Sequence, residues 1–384
     1  MTDSAEDVLH RVTALVPLVE SSRARIAADR RLPDELVNAL RGAGAFRMPM
    51  PASWGGPEMT PRQQTEVVER LATADPSTAW CVMIGSDAGY YSAFMDDAAA
   101  HELFADVDAI VAGWIVPAGR AEVVDGGYRV SGHWSFGSCC LHADVIAGGC
   151  LVFDGDTMVT AASGMPEMRI VLAPASSWTI QDTWHTTGLA GSGSNDYETK
   201  DLFVPRAHTF SLQDPPRRDG ALYRFPGAFF ANMHGVPLGL ARRAIDEVKA
   251  IAQDKVLMPE MIAMRDVPRV RTAVAKAEMA LRSARAFTYA NLDAVWEHLQ
   301  TNDELTIELR VDLALARVNA FRMAREVAQA MVDTAGTQAI YRTSILDTLL
   351  RDAITMNQHI VAQDRMLEMV GGMALGVVPA LPFI

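Results

Sequence analysis

The chain has 384 residues, 49% hydrophobic and 21% charged, the profile of a soluble globular protein too long for one compact core. A formal net charge of −13 disfavours nucleic acid and anionic membranes as partners, so cofactor phosphates would need local arginines, backbone amides or helix N-termini. Cys81, Cys139, Cys140 and Cys150 show neither CxxC spacing nor a disulfide framework, and no histidine–carboxylate pair has metal-ligand spacing. No apolar run approaches the ~18 residues of a membrane span. The opening "MTDSAEDVLHRV" is acidic and lacks the basic-then-apolar order of a signal peptide, so a cytoplasmic protein is expected.

Residues 1–108 read as a helical domain. Val8, Val12, Leu15, Leu18 and Val19 recur at helical spacing, and a short helix follows Pro33 and stops at glycine. Thr60 is placed as an N-cap with Pro61 at the first helical position. "STAWCVMIGSDAGYYSAFM" is apolar on nearly every side, which predicts a single buried helix.

Residues 109–215 change character. Asp125-Gly126-Gly127 sits between alternating segments as a hairpin turn. Strict alternation puts Tyr128, Val130, Trp134, Phe136 and Ser138 on one strand face, with Arg129, Ser131, His133 and Ser135 on the other. Further strands follow with no helix between them, which predicts an antiparallel β domain. "GLAGSGSND" has a glycine spacing open to misreading as a dinucleotide fingerprint, but it precedes a strand and opens no helix.

Residues 216–384, with the linker "QDPPRRDG" (213–220) at the junction, carry long helical segments expected to form a four-helix bundle. Continued helical phase through 351–363 would put Asp352, Met356, His359 and Gln363 on one stripe, with Asp352 and His359 about 10.5 Å apart along the axis. That is too far for a hydrogen bond, so Asp352 is expected to be structural. His359 is either an acid/base group or a histidine that fills a helical core.

Three stretches, "DGGYRVSGHWSFGSCCLHADVIAGG", "TWHTTGLAGSGSNDYETKDLFVP" and "LLRDAITMNQHIVAQ", in that order and spacing, resemble the acyl-CoA dehydrogenase superfamily. Within it they are similar to the two-component flavin-dependent monooxygenases of the group D type. The resemblance implies an α+β fold: an N-terminal helical domain, a central antiparallel β domain and a C-terminal four-helix bundle, assembled as a homotetramer. It implies reduced flavin (FMNH2 or FADH2) delivered by a separate NAD(P)H:flavin reductase, with O2 as the co-substrate. The oxygen would pass through a C4a-hydroperoxyflavin to a small aromatic or natural-product substrate. By the same likeness, Trp134, Phe136 and Trp184 wall the flavin, and Ser138 and the Cys139 backbone lie near its reactive edge. Gly191, Ser192 and Ser194 run beneath it, and His359 is the catalytic acid/base beside Ser138.

The rival activity on this fold, acyl-CoA dehydrogenation or oxidation, uses a carboxylate base. The segment after Arg351-Asp352 lacks the Gly-Thr-x-Glu context of that base, and Glu368 does not match it. A non-catalytic flavin-binding member is the other alternative. One departure from the monooxygenase pattern stands out: no histidine follows Trp80 at the family's spacing, where this chain has Ser86, Asp87 and Ala88.

Overall fold

The computed structural model describes residues 3–161, 163–225, 227–259 and 261–377. The N-terminal helices are α1 (Ala5–Ala14), α2 (Val16–Asp29), α3 (Asp34–Ala43), α4 (Pro61–Ala72), α5 (Pro76–Gly85), α6 (Ala88–Ser92) and α7 (Asp97–Leu103). Local chemistry sets their starts. Ser4 with Asp7 and Thr60 with Gln63 form reciprocal capping boxes, and Asp75 accepts the Thr78 amide at 2.6 Å ahead of Pro76. The apolar stretch 77–95 is not one helix. It breaks at Ser86 into α5 and α6, and Gly89 of α6 lies against the Pro49 backbone, where a Cβ would sit 2.4 Å from the carbonyl.

The central sheet comprises β1 (Val111–Val124), β2 (Gly127–Gly137), β3 (Val145–Asp154), β4 (Thr157–Met158), β5 (Met168–Pro174), β6 (Thr179–Gln181), β7 (Asn195–Pro205) and β8 (Thr209–Phe210). Its strand order is β6-β7-β2-β1-β3-β5-β8, with β4 on β3. The hairpin at 125–127 joins β1 to β2 as the turn chemistry requires. The expectation of a purely antiparallel sheet is corrected: β1 and β3 are parallel, with Val111 opposite Val145. Parallel neighbours need a crossover of a dozen or so residues, and here β2 and the turn after it supply that length in place of a helix.

The C-terminal helices are α8 (Gly235–Asp254), α9 (Pro268–Leu299), α10 (Ile307–Ala335), α11 (Ile345–Met356) and α12 (Asp364–Ala374), with a small hairpin of β9 (Val256–Leu257) and β10 (Ile262–Ala263). Helices α8, α9, α10 and α11 pack on one another, and α4 and α5 of the N-terminal part pack on α8. One continuous apolar core therefore spans both helical parts. A second core lies within the sheet, built on Tyr128, Trp134, Trp178 and Tyr197. Among the described residues no helix is long and apolar enough to cross a membrane.

Candidate functional site

Where α5, the end of β2, the 184–194 loop and the end of α11 meet, they enclose a cavity of about 700 Å³. Its walls are mostly apolar: Trp80 and Ile84 from α5, Trp114 from β1, Phe136 from β2, Trp184 and Leu189 from the loop, Ile354 and Met356 from α11. The rings meet edge to face. Trp114 lies 5.9 Å from Phe136 and 6.3 Å from His359, Phe136 lies 6.4 Å from Trp184, and Trp80 lies 5.6 Å from His359.

Local backbone breaks aim these side chains. The β2–β7 register slips between Trp134 and Gly137, and Phe136 adopts φ +66°. That turns Phe136 out of the strand alternation, and its ring, 55% exposed, faces the cavity. Cys139 is also left-handed (φ +65°), and its amide donates to the Ser192 carbonyl at 2.9 Å, clamping the end of β2 to the loop. Gly188 lies against α11, where a Cβ would meet the Arg351 carbonyl oxygen at 2.1 Å. Asp352 completes that junction by accepting the Leu189 amide at 2.6 Å. Burial pushes the Asp352 carboxyl up to about 7, and the Leu189 hydrogen bond offsets only part of the shift.

A chain of hydroxyls runs along the cavity floor. Trp80 Nε1 donates to Ser138 Oγ at 3.0 Å, Ser138 Oγ lies 2.7 Å from Ser194 Oγ, and Ser194 Oγ lies 2.8 Å from Ser192 Oγ. Ser192 Oγ donates to the Leu189 carbonyl at 2.7 Å. Each hydroxyl has one proton, so the direction is set: Ser194 donates to Ser192, and Ser138 donates to Ser194. Every proton is used, and Ser138, Ser194 and Ser192 each keep one free lone pair.

His359 stands at the other end. It is not on a helix. The helix α11 stops at Met356, and His359 takes an extended conformation (φ −62°, ψ 142°) as the cap of a short turn over Ile360–Ala362. Its Nδ1 accepts the Val361 amide at a long 3.4 Å, which favours the proton on Nε2. Burial first, then the Arg317 charge, pulls the imidazole down to about 4, so it is neutral near pH 7.

Of the residues singled out in the sequence, Phe136, Ser138, Trp184, Ser192, Ser194 and His359 border this one space. Trp134 does not: it is fully buried in the sheet core, stacked 5.7 Å from Tyr197, with its indole N–H on the Gly149 carbonyl at 2.8 Å. Cys139 and Gly191 lie behind the cavity wall. A Cβ on Gly191 would touch Ile26 Cγ2 of α2 at 2.0 Å. Ser86 and Asp87, at the position without a histidine, are buried away from the lining. Ser86 bonds the Met83 carbonyl, while burial holds the Asp87 carboxyl well above its ordinary range. Trp114 was not anticipated as a wall, and Trp80 was noted only as a landmark. Among the described residues no histidine, cysteine and carboxylate cluster is suited to a metal ion.

An apolar slot with a fully hydrogen-bonded polar floor fits a flat aromatic cofactor such as flavin. Comparison with known proteins agrees. Residues 10–102 match the family model of the acyl-CoA dehydrogenase N-terminal domain, and residues 233–364 that of the C-terminal domain. The chain is 32% identical to an indole-3-acetate monooxygenase of Pseudomonas putida over 93% of its own length and 91% of the relative's. It is 27% identical to an FADH2-dependent resorcinol hydroxylase, oxygenase component, of Rhizobium sp., covering 96% and 94%. The crystal structure of the HsaA monooxygenase of M. tuberculosis superposes with a TM-score of 0.90 at 26% identity, over the whole of both chains.

Proposed function

The chain belongs to the acyl-CoA dehydrogenase family, as an oxygenase component of the flavin-dependent monooxygenase kind, and on that premise we propose that reduced flavin lies against Ser138 with a small aromatic substrate beside His359. The observation that carries this reading is the direction of the hydroxyl chain. Because Ser138 spends its proton on Ser194, it meets a ligand only as an acceptor. Reduced flavin carries a proton on N5 and oxidised flavin does not, so the floor favours the reduced form.

When bound, reduced flavin would supply the two electrons that activate O2, one of whose atoms enters the substrate while the other leaves as water. The chain's own part is to hold, orient and keep dry. Trp80, Trp114, Phe136 and Trp184 exclude water from the oxygen chemistry. The neutral His359 offers its Nε2 proton as a hydrogen-bond donor to the oxygen being transferred. Asp352 holds the Leu189 end of the floor and touches no ligand. A separate NAD(P)H:flavin reductase supplies the cofactor, and the working form is a cytoplasmic homotetramer.

The test is to mix the protein with FMNH2 or FADH2, O2 and a panel of aromatic substrates. Hydroxylated product in excess of released hydrogen peroxide is the expected result. Bleaching of bound oxidised flavin by an acyl-CoA, without product, would sink the reading in favour of a dehydrogenase.

A further inference from the structure

Three indoles line the cavity, and two of them are tied by their own N–H groups. Trp80 Nε1 donates to Ser138 Oγ at 3.0 Å, and Trp184 Nε1 donates to the Leu189 carbonyl at 2.9 Å. The Trp114 indole makes no hydrogen bond among the described residues. Its place is set by its backbone and by its ring contacts.

That backbone is irregular. Between the pairs Trp114–Gly148 and Gly119–Cys150, residues 115–118 of β1 face the single Gly149 of β3. A Cβ on Gly149 would lie 2.2 Å from the Ile115 carbonyl oxygen, so glycine is what leaves room for the extra residues. Bulges beside active sites re-aim a side chain, and this one starts at the residue that faces the cavity.

The break is pinned by a side chain from two strands away. Tyr197 of β7 is fully buried, and its ring passes Gly137 of β2, where a Cβ would meet it at 2.8 Å. Its hydroxyl accepts the Trp114 amide at 2.6 Å and donates to the Ala147 carbonyl of β3 at 2.7 Å. Burial holds the phenol well above its ordinary range, so the proton stays on the oxygen. Stacking on Trp134 at 5.7 Å and an edge contact with Trp178 at 5.5 Å fix the Tyr197 ring. The hydroxyl thus joins β1 to β3 where their register fails, and it does so at the Trp114 backbone.

The Trp114 ring stands 5.9 Å from Phe136 and 6.3 Å from His359, while Trp80 flanks His359 from α5 at 5.6 Å. A substrate that reaches His359 must fit against the Trp114 ring, in a cavity of about 700 Å³ that also has to take the flavin ring. We propose that Trp114 sets the size limit of the aromatic substrate, at one or two fused rings, and that Tyr197 is the positioning residue that holds it there. The proposal rests on the monooxygenase reading and deepens it by naming what selects the substrate.

The test titrates phenol, 2-naphthol and 9-phenanthrol calorimetrically into protein saturated with FMN or FAD, as wild type, Trp114→Ala, Tyr197→Phe and the double variant. Wild type should bind 2-naphthol and discriminate against 9-phenanthrol. Trp114→Ala should raise the affinity for 9-phenanthrol relative to 2-naphthol ~10-fold or more, the scale on which an apolar pocket discriminates size. Tyr197→Phe should raise the same ratio ~3-fold, the worth of one hydrogen bond. The double variant should match Trp114→Ala, because Tyr197 acts through the indole. A hydroxyl that only stabilises the sheet would lower the melting temperature and leave the ratio unmoved. A ratio unmoved by either single variant, or shifts that add in the double variant, overturns the proposal. So does wild type that binds 9-phenanthrol as tightly as 2-naphthol, or binds none of the three. If Trp114→Ala does not fold, Trp114→Phe takes its place. Flavin binding with unmoved ratios removes only the Trp114 and Tyr197 assignments. Failure to bind FMN or FAD in any redox state, or reduction of bound flavin by acyl-CoA, removes the monooxygenase reading itself.

Discussion

Two polar regions border the same cavity, and they are finished to different degrees. On the floor, Trp80, Ser138, Ser194, Ser192 and the Leu189 carbonyl form an unbroken donor-to-acceptor chain with no idle proton. At the far end, His359 has only one long backbone contact, to the Val361 amide. A satisfied network is stiff and fixes the position of whatever rests on it, whereas unsatisfied buried groups are costly until a ligand arrives. The contrast suits a cofactor floor that must not move and a substrate end completed by the substrate.

The largest effect that sharpens this contrast should come from His359→Ala. Removing the group at the transfer end is expected to lower product formation ~100-fold, with hydrogen peroxide rising in its place. Reduced-flavin binding should be little changed. The check is the ratio of product to peroxide at saturating flavin, and an unchanged ratio would take His359 out of the chemistry.

Next in size is Asp352→Asn, which tests whether the floor's support is structural. Asp352 has its folded pKa raised from 3.8 to about 7, so between those values the folded state binds more protons than the unfolded state. Stability from this group therefore falls as pH rises from about 4 to about 7. His142, His234 and His359, each pulled from 6.5 to about 4, act the other way: their contribution rises with pH from about 4 to about 6.5. Asparagine keeps an acceptor for the Leu189 amide but cannot ionise. The difference between variant and wild-type stability should grow in the variant's favour by ~2 kcal/mol from pH 5 to pH 7. Denaturant melts across that range measure it, and a flat difference would contradict the buried-acid account.

Ser138→Ala carries the smallest expected effect. It removes the acceptor offered to the ligand and strands the Trp80 indole N–H. Preference for reduced over oxidised flavin should drop ~5-fold, about 1 kcal/mol, with the fold intact. An undiminished preference would break the distinction between floor and far end.

Much of this was legible in the sequence, because composition, caps and turn residues act locally. The helical–β–helical order, the Asp125-Gly126-Gly127 hairpin and the Thr60 cap all follow from short-range chemistry. What escaped was geometry set by register and by helix ends. Alternation put Trp134 and Phe136 on one face, yet Gly132 and Gly137 flank slips against β7 that send one into the sheet core and the other toward the cavity. Those two glycines were the available signal. The end of α11 at Met356 has no proline or glycine to announce it, so helical phase was carried one turn too far and misplaced the His359 backbone. The parallel β1–β3 pair was hidden because its crossover is a strand. Arg317 was visible as a cation inside the apolar stripe of Leu313, Ala320, Phe321 and Ala324, a misfit that marks a buried charge.

The indole rings have a spectroscopic consequence. Of the seven tryptophans, Trp80, Trp114 and Trp184 face the cavity, while Trp134 and Trp178 face each other inside the sheet. An incoming flat chromophore would therefore lie against three indoles at once, and ultraviolet-excited emission should fall as the cavity fills, the lining indoles being quenched most strongly. The protein carries its own optical gauge of occupancy.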